Sequence, residues 1–153
     1  MLKFFQYNWQ VRDEWFEWCR QLPDEEMLKE RIGGMGGILY TFFHIIDVEY
    51  SWICGIQGKD DVVIPFEEYN TLDKVLELSE EYRQEILAFL QSYSESSSDQ
   101  RIQVAWNNDS YSKAEILHHV IAHEIHHIGQ ISVWAREMGL KPVSANFIGR
   151  DLG

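Results

Sequence analysis

The chain has three prolines, Pro23, Pro65 and Pro142, and none of them interrupts the four stretches whose apolar residues recur at helical spacing. The first stretch runs from about Leu2 to Leu22 and carries Phe5, Trp9, Phe16 and Cys19 among its apolar positions. Pro23-Asp24-Glu25-Glu26 then reads as a stop followed by a short helical turn, because proline suits a helix start and acids suit its first turn. After the glycine run Gly33 to Gly37, a second helix is expected from about Ile38 to Ile56. The segment Lys59 to Tyr69 is a loop, extended at Val62-Val63-Ile64 because a residue before proline avoids the helical region. Asn70 is placed to cap a third helix from about Thr71 to Tyr93.

Ile102, Val104 and Trp106 alternate and suggest a short extended piece, followed by a turn at Asn107-Asn108-Asp109. Ser112 and Glu115 form a capping box that opens a fourth helix, from about Lys113 to Met138, with Gly139 as its left-handed C-terminal cap. Four helices of this length and almost no strand signal predict an all-α chain, a four-helix bundle with at least one long connection, around Pro65. Its 153 residues are the size of one domain.

Charge narrows the function. Thirteen Lys and Arg against 25 Asp and Glu give a net charge of −12, which repels nucleic-acid phosphates and anionic membranes alike. The acids concentrated between Glu67 and Gln100 read as the solvated outer face of the third helix. Cys19 and Cys54 form no CxxC pair and read as reduced, buried thiols. The first ten residues lack the basic and apolar regions of a signal peptide, and Met35 to Ile46 is too short to span a bilayer. A cytoplasmic protein is expected.

Five of the six histidines, His118, His119, His123, His126 and His127, fall within ten residues of the fourth helix. On a helical wheel centred on Val120, Ile116, Leu117, Ile131, Trp134 and Met138 make a core stripe about 120° wide. His127 lies inside that stripe and His123 at its edge, whereas His118 points outward and His119 and His126 lie on one flank. Two inward imidazoles at i,i+4 are hard to satisfy among apolar neighbours, and a divalent metal takes one nitrogen from each. Core histidines bonded to Tyr or Asp are the bland alternative.

The sixth histidine, His44, lies mid-way along the second helix on a small polar face with Tyr40, Asp47, Val48 and Ser51. Together His44, His123 and His127 would supply three nitrogen ligands with open positions, the pattern of catalytic rather than structural sites. The string His123-Glu124-Ile125-His126-His127 also matches the zincin HExxH motif, but Gln130 and Val133 stand where an extended zincin needs Gly and His. Glu124, Asp47 and Tyr40 are candidates to orient a nucleophile, and Gln130, one turn from His127, to support that ligand. Tyr7 and Trp9 are candidates to line a pocket. The Gly33 to Gly37 run lacks a preceding strand and a following Lys-Ser/Thr, so it reads as a flexible connector and not as a phosphate loop.

The block Leu117-His118-His119-Val120-Ile121-Ala122-His123-Glu124-Ile125-His126-His127-Ile128-Gly129-Gln130-Ile131 resembles the signature of the DinB family, as do His44-Ile45-Ile46-Asp47-Val48-Glu49-Tyr50-Ser51-Trp52, the opening Tyr7-Asn8-Trp9 and the closing Gly139-Leu140-Lys141-Pro142. The resemblance implies a four-helix bundle of non-standard connection order and a divalent metal, zinc or nickel, on His44, His123 and His127. Ile128 departs from the Arg that many members carry there, which puts an anion-binding role at that position in doubt. Relatives include metal-dependent transferases that use low-molecular-weight thiols. S-transfer and hydrolysis of an unknown small-molecule substrate both remain open, beside a non-catalytic metal-binding stress-response bundle and a metal-free interaction bundle. Homodimerisation is a further expectation from aromatic abundance and family habit.

Overall fold

Each periodic stretch forms a helix in the structure, a computed structural model that describes residues 1–153. The elements are α1 (Leu2–Cys19), a short α2 (Asp24–Leu28), α3 (Ile38–Ile56), α4 (Leu72–Ser92), the strands β1 (Arg101–Gln103) and β2 (Ser110–Ser112), and α5 (Lys113–Glu137). Pro23 caps α2 in extended conformation, with three acids following in the first turn. The capping box opens α5 as expected: the Ser112 hydroxyl accepts from the Glu115 N–H, and the Glu115 carboxylate accepts from the Ser112 N–H.

Three expectations shift. The first helix ends at Cys19, and Leu22 is buried beyond it. The cap of α4 is Thr71, whose hydroxyl accepts from the Lys74 N–H at 3.3 Å, and not Asn70. The extended piece is only Arg101–Gln103, and it finds an antiparallel partner in Ser110–Ser112, with Ile102 opposite Tyr111. A three-residue strand beside a helix cap is too short to show a period of two, so the all-α reading holds with this one small ribbon added.

The long helices pack in the cyclic order α1, α4, α3, α5, so α1 and α3, successive long helices in the chain, sit diagonally. The connection from Gln57 to Thr71 joins α3 to its neighbour α4, and the β-hairpin lies on the way from α4 to α5. Phe16 and Phe42 meet edge-to-face at 5.1 Å across the diagonal. Burial of Phe5, Trp15, Phe16, Ile38, Phe42, Ile86, Ile116 and Ile131 makes a continuous core between the helices. The tail beyond Gly139 runs back along α1, tied by Trp18 Nε1–H donating to the Lys141 carbonyl and by Arg150 paired with Glu14. No helix is long and apolar enough to cross a membrane.

Candidate metal centre

The strongest packing of α3 is against α5. The two helices run antiparallel: Trp52, eight residues after His44, meets His119, four residues before His123. The i,i+4 spacing of His123 and His127 places their rings on one face, edge-to-face with centroids 4.5 Å apart, and the His44 ring lies 4.8 Å from the first and 5.0 Å from the second. Each residue offers one ring nitrogen, and the three lie within 4.8 Å of one another. His44 Nε2 and His123 Nε2 are 3.0 Å apart. Two nitrogens sharing one tetrahedral zinc stand roughly 3.3 Å apart, so the donor set fits a divalent cation in chemistry, and the His44–His123 pair already stands near the required separation.

The electrostatics favour the ligand form of the imidazoles. Burial, reinforced by His127, lowers the pKa of His44 from 6.5 to about 4. Burial and the neighbouring histidines, His127 first, lower that of His123 to about 3. Both rings are therefore neutral at pH 7. His127 is orientated from behind, where its Nδ1–H donates to Gln130 Oε1 at 2.7 Å and leaves Nε2 to face the other rings. The Gln130 amide in turn donates to His126 Nε2 at 3.2 Å.

The glycine run is not a free connector. Gly34, at φ +49°, lies against the Gln130 side chain, and the loop is pinned where Trp134 Nε1–H donates to the Ile32 carbonyl at 3.1 Å. A Cβ on residue 34 would overlap Gln130 Oε1 and stand 2.8 Å from its Cδ. The left-handed backbone and this approach both call for glycine.

Glu124 does not face the histidines. It is buried in the core of the bundle, where Arg12 Nε donates to Oε1 at 2.8 Å and Nη2 donates to Oε2 at 2.7 Å. Arg12 also donates to Glu49 Oε2 and to Ser79 Oγ, and Trp9 Nε1–H donates to Glu49 Oε1 at 3.1 Å. The guanidinium thus joins α1, α3, α4 and α5. Burial raises the Glu124 pKa, with Arg12 opposing. Both oxygens of Glu124 are engaged away from the rings, so the general base of a zincin is missing and the HExxH string is a coincidence of spacing.

Asp47, three residues after His44, is half-buried, and burial followed by the Asp61 charge raises its pKa to about 6. Tyr40 is exposed and packs edge-to-face on Phe66 at 4.9 Å. Tyr7 lines a cavity of about 230 Å³ beneath the tail, whereas Trp9 is buried against Glu49 and is not part of that lining.

The DinB family model matches residues 1–151 of the chain. The chain belongs to the DinB family. It is 61% identical over 153 residues to the uncharacterized protein YizA of Bacillus subtilis (strain 168), covering 99% of this chain and 96% of that one. The crystal structure of a DinB-like protein from Bacillus cereus ATCC 10987 has the same fold, with a TM-score of 0.67 at 18% identity over 92% of this chain and 94% of that one. In this DinB chain, sequence reasoning missed the Arg12 network, although Arg12 occupies an apolar position of α1, between Asn8 and Trp9 on one side and Trp15 and Phe16 on the other. It also missed the docking of Gly34, which no local pattern announces.

Proposed function

We propose that this chain is a metal-dependent enzyme acting on a small molecule, with His44, His123 and His127 holding zinc or nickel and a low-molecular-weight thiol as the nucleophile transferred. Hydrolysis, with water in the thiol's place, is the second form of the same reading. The observation that carries the proposal is the convergence of three imidazoles, two of them only half-buried, with one ring nitrogen from each within 4.8 Å of the others. A cation bound there by three protein ligands supplies Lewis acidity and makes a thiol or water nucleophilic near neutral pH.

The chain's own residues do the rest. Burial keeps His44 and His123 unprotonated, and Gln130 fixes the tautomer of His127. Glu124 takes no part in proton transfer.

Elemental analysis of the protein as isolated tests the ligand set. About one equivalent of zinc or nickel per chain is expected, and His127→Ala is expected to lose it while remaining folded. Full metal content in that variant refutes the assignment. A thiol-dependent absorption band in cobalt-loaded protein tests the open position.

A further inference from the structure

A second feature lies beside the histidine cluster. A cavity of about 210 Å³ lined by Trp52, Tyr111, Glu115, Ile116 and His119 opens one helical turn along α5 from His123. The His119 ring lies 5.9 Å from the His123 ring, so the cavity adjoins the ligand set. Its wall is built around Trp52, which meets Trp106, Tyr111 and His119 edge-to-face at 4.9, 5.7 and 5.3 Å.

Trp106 and Tyr111 come from the β-hairpin, which is seated against α3 at Gly55. A Cβ there would stand 3.2 Å from Val104 Cγ1 and 3.7 Å from Trp106 Cη2. Asn107 Nδ2–H donates to the Tyr111 hydroxyl at 3.2 Å and braces the loop. The one acid in the lining, Glu115, is already engaged by the Ser112 N–H at 2.7 Å and faces Arg101 at 3.7 Å. The remaining wall is ring and aliphatic surface. The His119 ring makes no hydrogen bond within the protein, so its nitrogens are free for a polar substituent on the guest.

The geometry points to this cavity as the binding site for one compact aromatic or similarly planar, uncharged ring carried by the molecule that reaches the metal. An apolar cavity of about 150 Å³ takes one benzene, so this volume suits a single ring with a short link and is below the size of a drug-like pocket. The Trp52, Tyr111 and His119 rings in the wall suit an aromatic guest better than a flexible chain. The inference names the substrate class of the proposed enzyme and rests on that reading for its link to the metal, but the cavity itself can be tested alone.

Fluorobenzene, which has no metal-seeking group, is titrated into the full chain as purified and followed by ¹⁹F NMR. Saturable binding is expected, and Tyr111→Ala and His119→Leu, which remove two of the lining rings, are expected to weaken it by about tenfold, as loss of part of the ring's buried contact implies. Absence of saturable binding, or binding unchanged in both variants, overturns the cavity assignment. In cobalt-loaded protein, benzyl mercaptan is expected to bind more tightly than ethanethiol, and both variants are expected to shrink the difference without changing the ethanethiol affinity. Equal shrinkage for both thiols overturns the link between cavity and metal. A cobalt spectrum that no thiol perturbs overturns the thiol-transfer proposal, while the fluorobenzene titration still decides the cavity.

Discussion

Replacing Gly34 with alanine puts a methyl group where the Gln130 amide now lies. Two costs follow. The backbone at φ +49° is left-handed, which costs a residue with a Cβ about 1 kcal/mol. The new Cβ, 2.8 Å from Gln130 Cδ and closer still to Oε1, forces that amide aside, which is the cheaper adjustment because a glutamine side chain turns more easily than a pinned loop. The moved amide gives up its 2.7 Å bond to His127 and its 3.2 Å bond to His126. Without the acceptor behind Nδ1, the His127 ring is free to rotate and to change tautomer. Loss of such a supporting bond weakens metal binding by about 10- to 100-fold.

The assay is competition with a chromophoric chelator, on wild type, Gly34→Ala, Gln130→Ala and the double variant. Each single variant is expected to fall in that range. The double variant is expected to be no weaker than Gln130→Ala alone, because both changes remove the same bond. A folded Gly34→Ala protein with wild-type affinity, or losses that simply add, would refute the reasoning.

Arg12→Met strands Glu49 and Glu124 as buried carboxylates with no cation, and is expected to cost about 3–5 kcal/mol in denaturant unfolding. Asp47→Asn tests linkage. The Asp47 pKa is raised on folding to about 6, so its carboxylate opposes folding at pH 7 and ceases to do so below its unfolded value. The variant is therefore expected to be more stable than wild type at pH 7, by about 1 kcal/mol after discounting for solvent exposure, with the gain gone near pH 3.5. His44 and His123 act with the other sign in the metal-free protein: their folded pKa values are lowered, so the stability they contribute is present above pH 6.5 and is lost as pH falls toward 4 and 3. Thermal melts in chelator across that range are expected to show wild-type stability rising with pH more steeply than that of a His44→Asn, His123→Asn variant.

The helices were legible because each buries one stripe, and a stripe repeats. The same arithmetic separated His123 and His127 from His118, which is exposed on the far side of α5. Glu124 was misjudged although it lies about 40° from Val120, inside that stripe, because a charged residue in HExxH spacing invites a catalytic reading. A carboxylate at a core position demands a cation, and Arg12, at a core position of α1, was the available partner. What the sequence could not show were contacts between segments distant in the chain with no periodicity of their own: Gly34 on Gln130, Trp106 on Trp52, and the pairing of Ser110–Ser112 with Arg101–Gln103.

His123 and Glu124 are adjacent, yet one joins the histidine cluster and the other the buried ion network, since a helix turns about 100° per residue. Arg12 grips both oxygens of Glu124 and so fixes the rotation of α5 about its axis, and through Glu49 it does the same for α3, which carries His44. The buried ions thereby hold the two ligand-bearing helices in register from behind. Stability alone does not call for them, because buried ion groups replaced together by apolar residues of similar volume often leave a protein as stable or more so. The combined variant Arg12→Met, Glu49→Leu, Glu124→Leu separates the two roles. If the network serves alignment, this protein melts near the wild-type temperature but binds zinc more weakly in the chelator assay, since α3 and α5 are then held only by apolar contacts that tolerate small rotations. Wild-type zinc affinity in a folded triple variant would mean that packing alone sets the angle between the helices and that the ion network plays no part in aligning the three histidines.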